Sequence, residues 1–141
     1  MNIVYLKLLE AKLRTVSQDQ FDMNTWCGSA AHPWEGKEDL SCGTVACALG
    51  HATTIPEFKA LGLRLVIDDA NSGMGFIKYG YLTSYLAAAK LFDITVDQSM
   101  HLFSGVSYRT YEKDTWIDNA VTSNMVADRI LEMIANHEAH Q

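Results

Sequence analysis

The chain is short of several things, and each shortage narrows what it can be. Only two of its 141 residues are proline, and no Pro- or Ser-rich stretch marks a linker, so a single domain is expected over 1–141. No apolar run approaches the ~20 residues that cross a bilayer. The partly apolar start from Met1 to Val16 is interrupted by Lys7, Glu10, Lys12 and Arg14, which does not read as a signal peptide. Cysteine is scarce and odd in number: Cys27, Cys42 and Cys47 suit a reducing cytoplasm better than a secreted disulfide framework. Positive charge is also short, with 11 basic against 17 acidic residues and a net charge of −6. The basic residues are dispersed, whereas nucleic-acid affinity rests on clustered cations that neutralise phosphates, so direct DNA or RNA binding is not expected. A Gly-rich phosphate loop and an H-E-x-x-H metallohydrolase motif are both missing.

What the chain has in quantity is apolar volume. Hydrophobic residues make up 48%, including six Met, six Tyr, five Phe and three Trp, enough to fill a core without disulfide staples. Ile3, Leu6, Leu9, Leu13 and Val16 recur at helical spacing and predict an amphipathic helix from Asn2 to Val16. Ser17 to Asp39 reads as a long irregular connection pinned by Trp26, with Phe21 and Met23 beside it. Thr44 to Ala52 is apolar nearly all round and suggests a short buried helix starting near Ser41 or Cys42. A further turn of helix runs from Pro56 to Leu61 and is stopped by Gly62.

Leu63, Leu65 and Ile67, then the turn-rich D-D-A-N-S-G at 68–73, then Met74 to Tyr79 predict a β-hairpin. Leu82, Tyr85, Leu86, Ala89 and Phe92 mark the next helix. Thr95 with Gln98 forms a capping box for a helix with Val96, Met100 and Phe103 inward, ended by Gly105. Tyr108 to Ala120 is left irregular, and Thr122 or Ser123 caps a last helix burying Val126, Ile130, Met133 and Ile134. The expectation is an α+β fold, mainly α: one compact helical domain with one small β-hairpin.

The most distinctive stretch is C-G-T-V-A-C-A-L-G-H-A at 42–52, which admits three readings. A thiol at a helix N-terminus is stabilised as thiolate, and S-C-G-T before a small-residue helix looks like the catalytic-cysteine turn of papain-like hydrolases. That makes a cysteine-dependent hydrolase using Cys42, with His51, the enzyme alternative, although no later histidine offers an obvious base. Cys27, His32, Cys47 and His51 could instead hold zinc in a structural module, Cys47 and His51 being four apart on one helical face. The third reading, preferred here, treats Cys47 and its small neighbours as core and expects no cofactor.

Other candidates are for binding. The pair Asp68 and Asp69 with Asn71 could take a cation or polyhydroxyl ligand, or simply make the hairpin turn. Trp34, between Pro33 and E-G-K-E-D, is expected to stay exposed. Tyr79 and other aromatics in or beside loops (Tyr81, Tyr108, Tyr111 and Trp116) could anchor an interface or serve the core. The helices at 81–92 and 96–103 outline a helix-turn-helix, but V-D-Q-S-M-H-L-F carries no Arg or Lys for phosphates, which favours a plain helix hairpin.

F-D-M-N-T-W-C at 21–27, S-C-G-T-V-A-C-A-L-G-H-A at 41–52, A-A-K-L-F-D-I-T at 88–95 and L-F-S-G at 102–105 together resemble a family of small uncharacterised proteins of bacteriophages and their bacterial hosts. The resemblance covers most of the chain and carries no catalytic residues with it. It implies a phage-type accessory protein in bacterial cytoplasm, of a class that often binds and inhibits host proteins, including defence systems. The expected function is therefore non-enzymatic binding of a host protein or a small molecule, through an acidic surface and exposed aromatics.

Overall fold

A computed structural model of the protein describes residues 1–23, 46–68, 74–117 and 120–141. The first helix, α1 (Ile3–Thr15), begins where the Asn2 side-chain oxygen accepts the Tyr5 N–H at 3.0 Å. Its apolar positions then fall on one face, and Leu6, Leu9 and Leu13 are all fully buried. That face packs along the last helix, α6 (Ser123–Ala139), whose start is capped by Thr122 and whose Val126, Ala127, Ile130 and Ile134 point inward. Ser123 ties the pair at one end by donating to the Val16 carbonyl at 3.3 Å. On the outside Arg14 bridges Glu10 (2.8 Å) and Asp128 (2.7 Å), exposed pairs of the kind usually worth less than about 1 kcal/mol.

Between these two helices in sequence lie α2 (Ala48–Ala52), α3 (Pro56–Ala60), β1 (Arg64–Asp68), β2 (Met74–Tyr79), β3 (Leu82–Thr83), α4 (Ser84–Phe92), α5 (Val96–Phe103), β4 (Thr110–Glu112) and β5 (Thr115–Ile117). The fold is mainly α with small antiparallel sheets, in α+β style. Among the described residues no helix is long and apolar enough to cross a membrane.

The expected hairpin is present as β1–β2, with Leu65 opposite Ile77, both buried, and it gains a third strand, β3. A two-residue turn at Gly80 and Tyr81 makes this possible. Gly80 takes φ +62° without a side-chain penalty, as the first central position of a tight hairpin demands, and Tyr81 is left fully exposed. Leu82 is therefore strand rather than helix. In α4 the inward face is Ala87, Ala88, Leu91 and Phe92, and Leu86 is exposed.

The capping box on α5 forms as expected, with Gln98 N–H to Thr95 at 3.0 Å and Thr95 N–H to Gln98 at 2.9 Å. Its buried face differs from the expected one. Ser99, Leu102 and Phe103 turn inward, while Val96 and Met100 are exposed. The reason is Ser99, fully buried, whose hydroxyl donates to the Tyr85 carbonyl at 2.8 Å; a small residue here brings α5 close against α4. The stretch expected to be irregular after Tyr108 holds a second hairpin, β4–β5, so the sheet content exceeds the single hairpin anticipated.

The buried residues form one cluster with Phe58 near its middle. Phe58 is fully buried and meets Tyr5 edge-on at 5.5 Å and Phe92 at 5.6 Å between ring centroids. It thus joins α3 to α1 and α4. Phe58→Ala is expected to cost about 3–5 kcal/mol, by lost burial and a residual cavity, read as a fall in the urea midpoint. Leu86→Ala, on the exposed face of α4, should shift that midpoint little.

Candidate functional site

The described part of the distinctive stretch, Ala46 to Ala52, is buried throughout. Phe21 and Ala46 form an isolated parallel bridge, in which the Asp22 N–H donates to the Ala46 carbonyl (3.1 Å) and the Ala46 N–H donates to the Gln20 carbonyl (3.2 Å). A strand-like Ala46 cannot also be helical, so Cys47 is extended and α2 starts at Ala48, later than the start expected near Ser41 or Cys42. Cys47 precedes the first turn of α2, and its carbonyl accepts the His51 N–H at 3.0 Å.

His51 is only 6% exposed. Its Nε2 lies 2.7 Å from the Gln20 carbonyl, an acceptor, so that nitrogen carries the hydrogen and donates. The imidazole also stacks on Phe21 at 6.3 Å, nearly parallel. Burial holds the His51 pKa below the usual range, against the opposing effect of the Gln20 bond. Burial likewise pushes the Cys47 thiol up to about 11, only partly offset by the backbone N–H groups of Gly50 and Leu49. At neutral pH a thiol with that pKa is thiolate in roughly one molecule in 10⁴. Cys47 and His51 are thus placed as core.

Of the remaining candidates, Cys42, named as nucleophile, and Cys27 and His32, named as metal ligands, lie outside the described residues. Trp26, Trp34, Asp69 and Asn71 do too. Among the described residues no three His, Cys, Asp or Glu side chains come together as a metal site. Asp68 ends β1, with its backbone opposite Met74. Tyr79, named for binding, is half-buried and packs against the core from β2.

The exposed feature that stands out lies elsewhere, among the aromatics that the sequence left open between interface and core. In the β4–β5 hairpin every residue is exposed, with Tyr111 at 58% and Trp116 at 66%. These two are direct cross-strand partners with ring centroids 5.1 Å apart, so they share one face of the ribbon. Ile117 is exposed too, as is Val106 in the 3₁₀ turn (Gly105–Tyr108) that leads into β4. The turn between the strands is Lys113–Asp114, both with positive φ (49° and 63°). That is the geometry of a two-residue hairpin turn usually made by Asn-Gly. Its signal in the sequence was the alternation of Thr, Tyr, Trp and Ile on both sides of two polar residues.

The base of the hairpin is anchored to the core. Tyr108 is buried and its hydroxyl donates to the Leu102 carbonyl at 2.8 Å. Arg129 from α6 lies over the Tyr108 ring at 3.6 Å and donates to the Ser107 carbonyl at 3.2 Å. The aromatic pair therefore projects from a fixed footing.

Two outcomes follow. Because the folded-state pKa of His51 is lowered, the unfolded chain binds more protons below about pH 6.5, so stability is present above that pH and lost as pH falls below it. His51→Ala should destabilise by about 1–3 kcal/mol near pH 7.5. It should also lessen the loss between pH 7 and 5, seen in urea unfolding at each pH. Asp114→Gly removes a left-handed penalty of about 1 kcal/mol, and should slow amide exchange across Thr110–Ile117 several-fold. Comparison of the chain with protein-family models, with curated proteins and with solved structures found no match.

Proposed function

We propose that this is a non-enzymatic binding protein whose contact element is the β4–β5 hairpin, and that its ligand is another protein. One observation carries the reading: Tyr111 and Trp116 stand paired and largely exposed on one face of a ribbon that leaves the core. Scattered exposed apolar residues are ordinary on a protein surface. A Tyr–Trp pair held on a ribbon with a fixed base is different, because both are residue types that dominate interface energetics and lose few rotamers on binding.

The net charge of −6 adds a preference for a partner with a basic rim around an apolar depression. The enzyme reading has less support. The histidine named as its base is buried, with Nε2 committed to the Gln20 carbonyl. The resemblance to small phage and bacterial proteins supports a bacterial cytoplasmic setting and a host protein, including one of a defence system, as the partner.

Tyr111→Ser with Trp116→Ser should leave thermal unfolding nearly unchanged, since neither side chain is in the core. The double variant should weaken a partner captured from bacterial lysate by about 2 kcal/mol or more. Leu131→Ser, an exposed change on α6, serves as the control and should leave binding intact. Equal affinity of the double variant and the control, measured by titration calorimetry, would place the interface elsewhere.

A further inference from the structure

Beside Arg129, α5 and α6 border a groove of about 320 Å³ whose lining includes Gln98, His101, Arg129, Glu132, Asn136 and His137. Its volume is at the lower end for small-molecule sites. Met133 adds an apolar wall to a lining that otherwise carries polar groups and both charges.

Arg129 is the fixed point. Its Nη1 donates to the His101 carbonyl (2.9 Å), the Ser107 carbonyl (3.2 Å) and the Ser107 hydroxyl (3.0 Å), and its guanidinium is stacked on Tyr108. The Nε–Nη2 edge remains, which is the edge that grips a carboxylate with two parallel bonds. Among the described residues no carboxylate lies within ion-pair distance of Arg129, and the nearby Asp128 is taken by Arg14 at 2.7 Å. The free edge of a guanidinium held in place by these contacts is preorganised for an anion.

Glu132 lies one turn further along α6 and lines the same groove. A highly charged anion such as phosphate would be repelled by it, whereas a ligand bearing both a carboxylate and a hydrogen-bond donor satisfies both residues. Gln98 spends its side-chain oxygen on the capping box, which leaves its amide N–H groups as donors. His101 also lines the groove, its pKa lowered by burial and then by the Arg129 charge, against the opposing pull of Glu132.

We infer that the α5–α6 groove is a binding site for a small amino or hydroxy acid, its carboxylate on Arg129 and its donor on Glu132. This site shares Arg129 with the footing of the hairpin but uses neither Tyr111 nor Trp116. Loss of partner binding through Tyr111 and Trp116 would leave it standing, and the reverse holds.

The test is an NMR titration of the His101 and His137 imidazole resonances in the intact chain at constant ionic strength. L-alanine, L-lactate and propionate are the probes, since they share a size and a carboxylate and differ in the α-substituent. Alanine and lactate should saturate at least about threefold tighter than propionate. Glu132→Ala, an exposed change that leaves the Arg129 contacts intact and removes the acceptor, should erase that preference while tightening propionate. Arg129→Gln should abolish all three, but it also removes the bonds to Ser107 and His101, so Glu132→Ala is the deciding variant. Shifts no different from sodium chloride, a preference that survives Glu132→Ala, or inorganic phosphate binding as tightly as lactate would each overturn the proposal.

Discussion

The carbonyl of Gln20 is the point on which the centre of this molecule turns. It accepts the Ala46 N–H at 3.2 Å and the His51 Nε2–H at 2.7 Å, using both of its lone pairs on groups 26 and 31 positions further along the chain. A buried carbonyl left unpaired would cost of order 1–3 kcal/mol. Its two bonds therefore do more than add a small favourable term. They fix where the chain returns after Met23, they force Cys47 into an extended conformation, and they decide that α2 begins only at Ala48. The small residues Ala46, Ala48, Gly50 and Ala52 let this short segment pack closely against α1, in the same buried cluster as Phe21 and Met23.

Much of the helical framework was legible because it depends on local chemistry. The stripe Leu6, Leu9, Leu13 declares α1, and Thr95 with Gln98 declares the start of α5, since a capping box is written in two residues three apart. Thr122 and Val126–Ile134 do the same for α6. Pro56 and Gly62 bound α3 for reasons of backbone geometry alone. Where the reading departed from the structure, a tertiary contact was the cause. Val96 and Met100 satisfy a helical period, but the bond from Ser99 to Tyr85 rotates α5 so that they face outward. The strand-like Ala46 is likewise set by Phe21, a residue 25 positions earlier.

The candidate site was harder to read for a different reason. A hairpin is usually betrayed by its turn, and Lys113–Asp114 lacks the Asn or Gly that left-handed backbone favours. The aromatics in and beside the loops are a mixed set, and nothing local separates them. Tyr108 is buried, Tyr79 is half-buried, and Tyr81, Tyr111 and Trp116 are exposed. Exposure is a property of the whole fold. The buried role of Cys47 was the reverse case, because a run without charge around a small thiol already implies it.

The isolation of β4–β5 from the core also bears on how such a protein can change over generations. A surface side chain outside the core can be exchanged at a stability cost usually within about 0.5 kcal/mol. A small domain with little stability to spare is seldom pushed below its folding threshold by such changes. Positions 111 and 116 can therefore change with little effect on the fold while Phe58, Leu9 and Ile130 hold still. The ribbon is a part of the molecule on which natural selection can write repeatedly without first having to repair the fold.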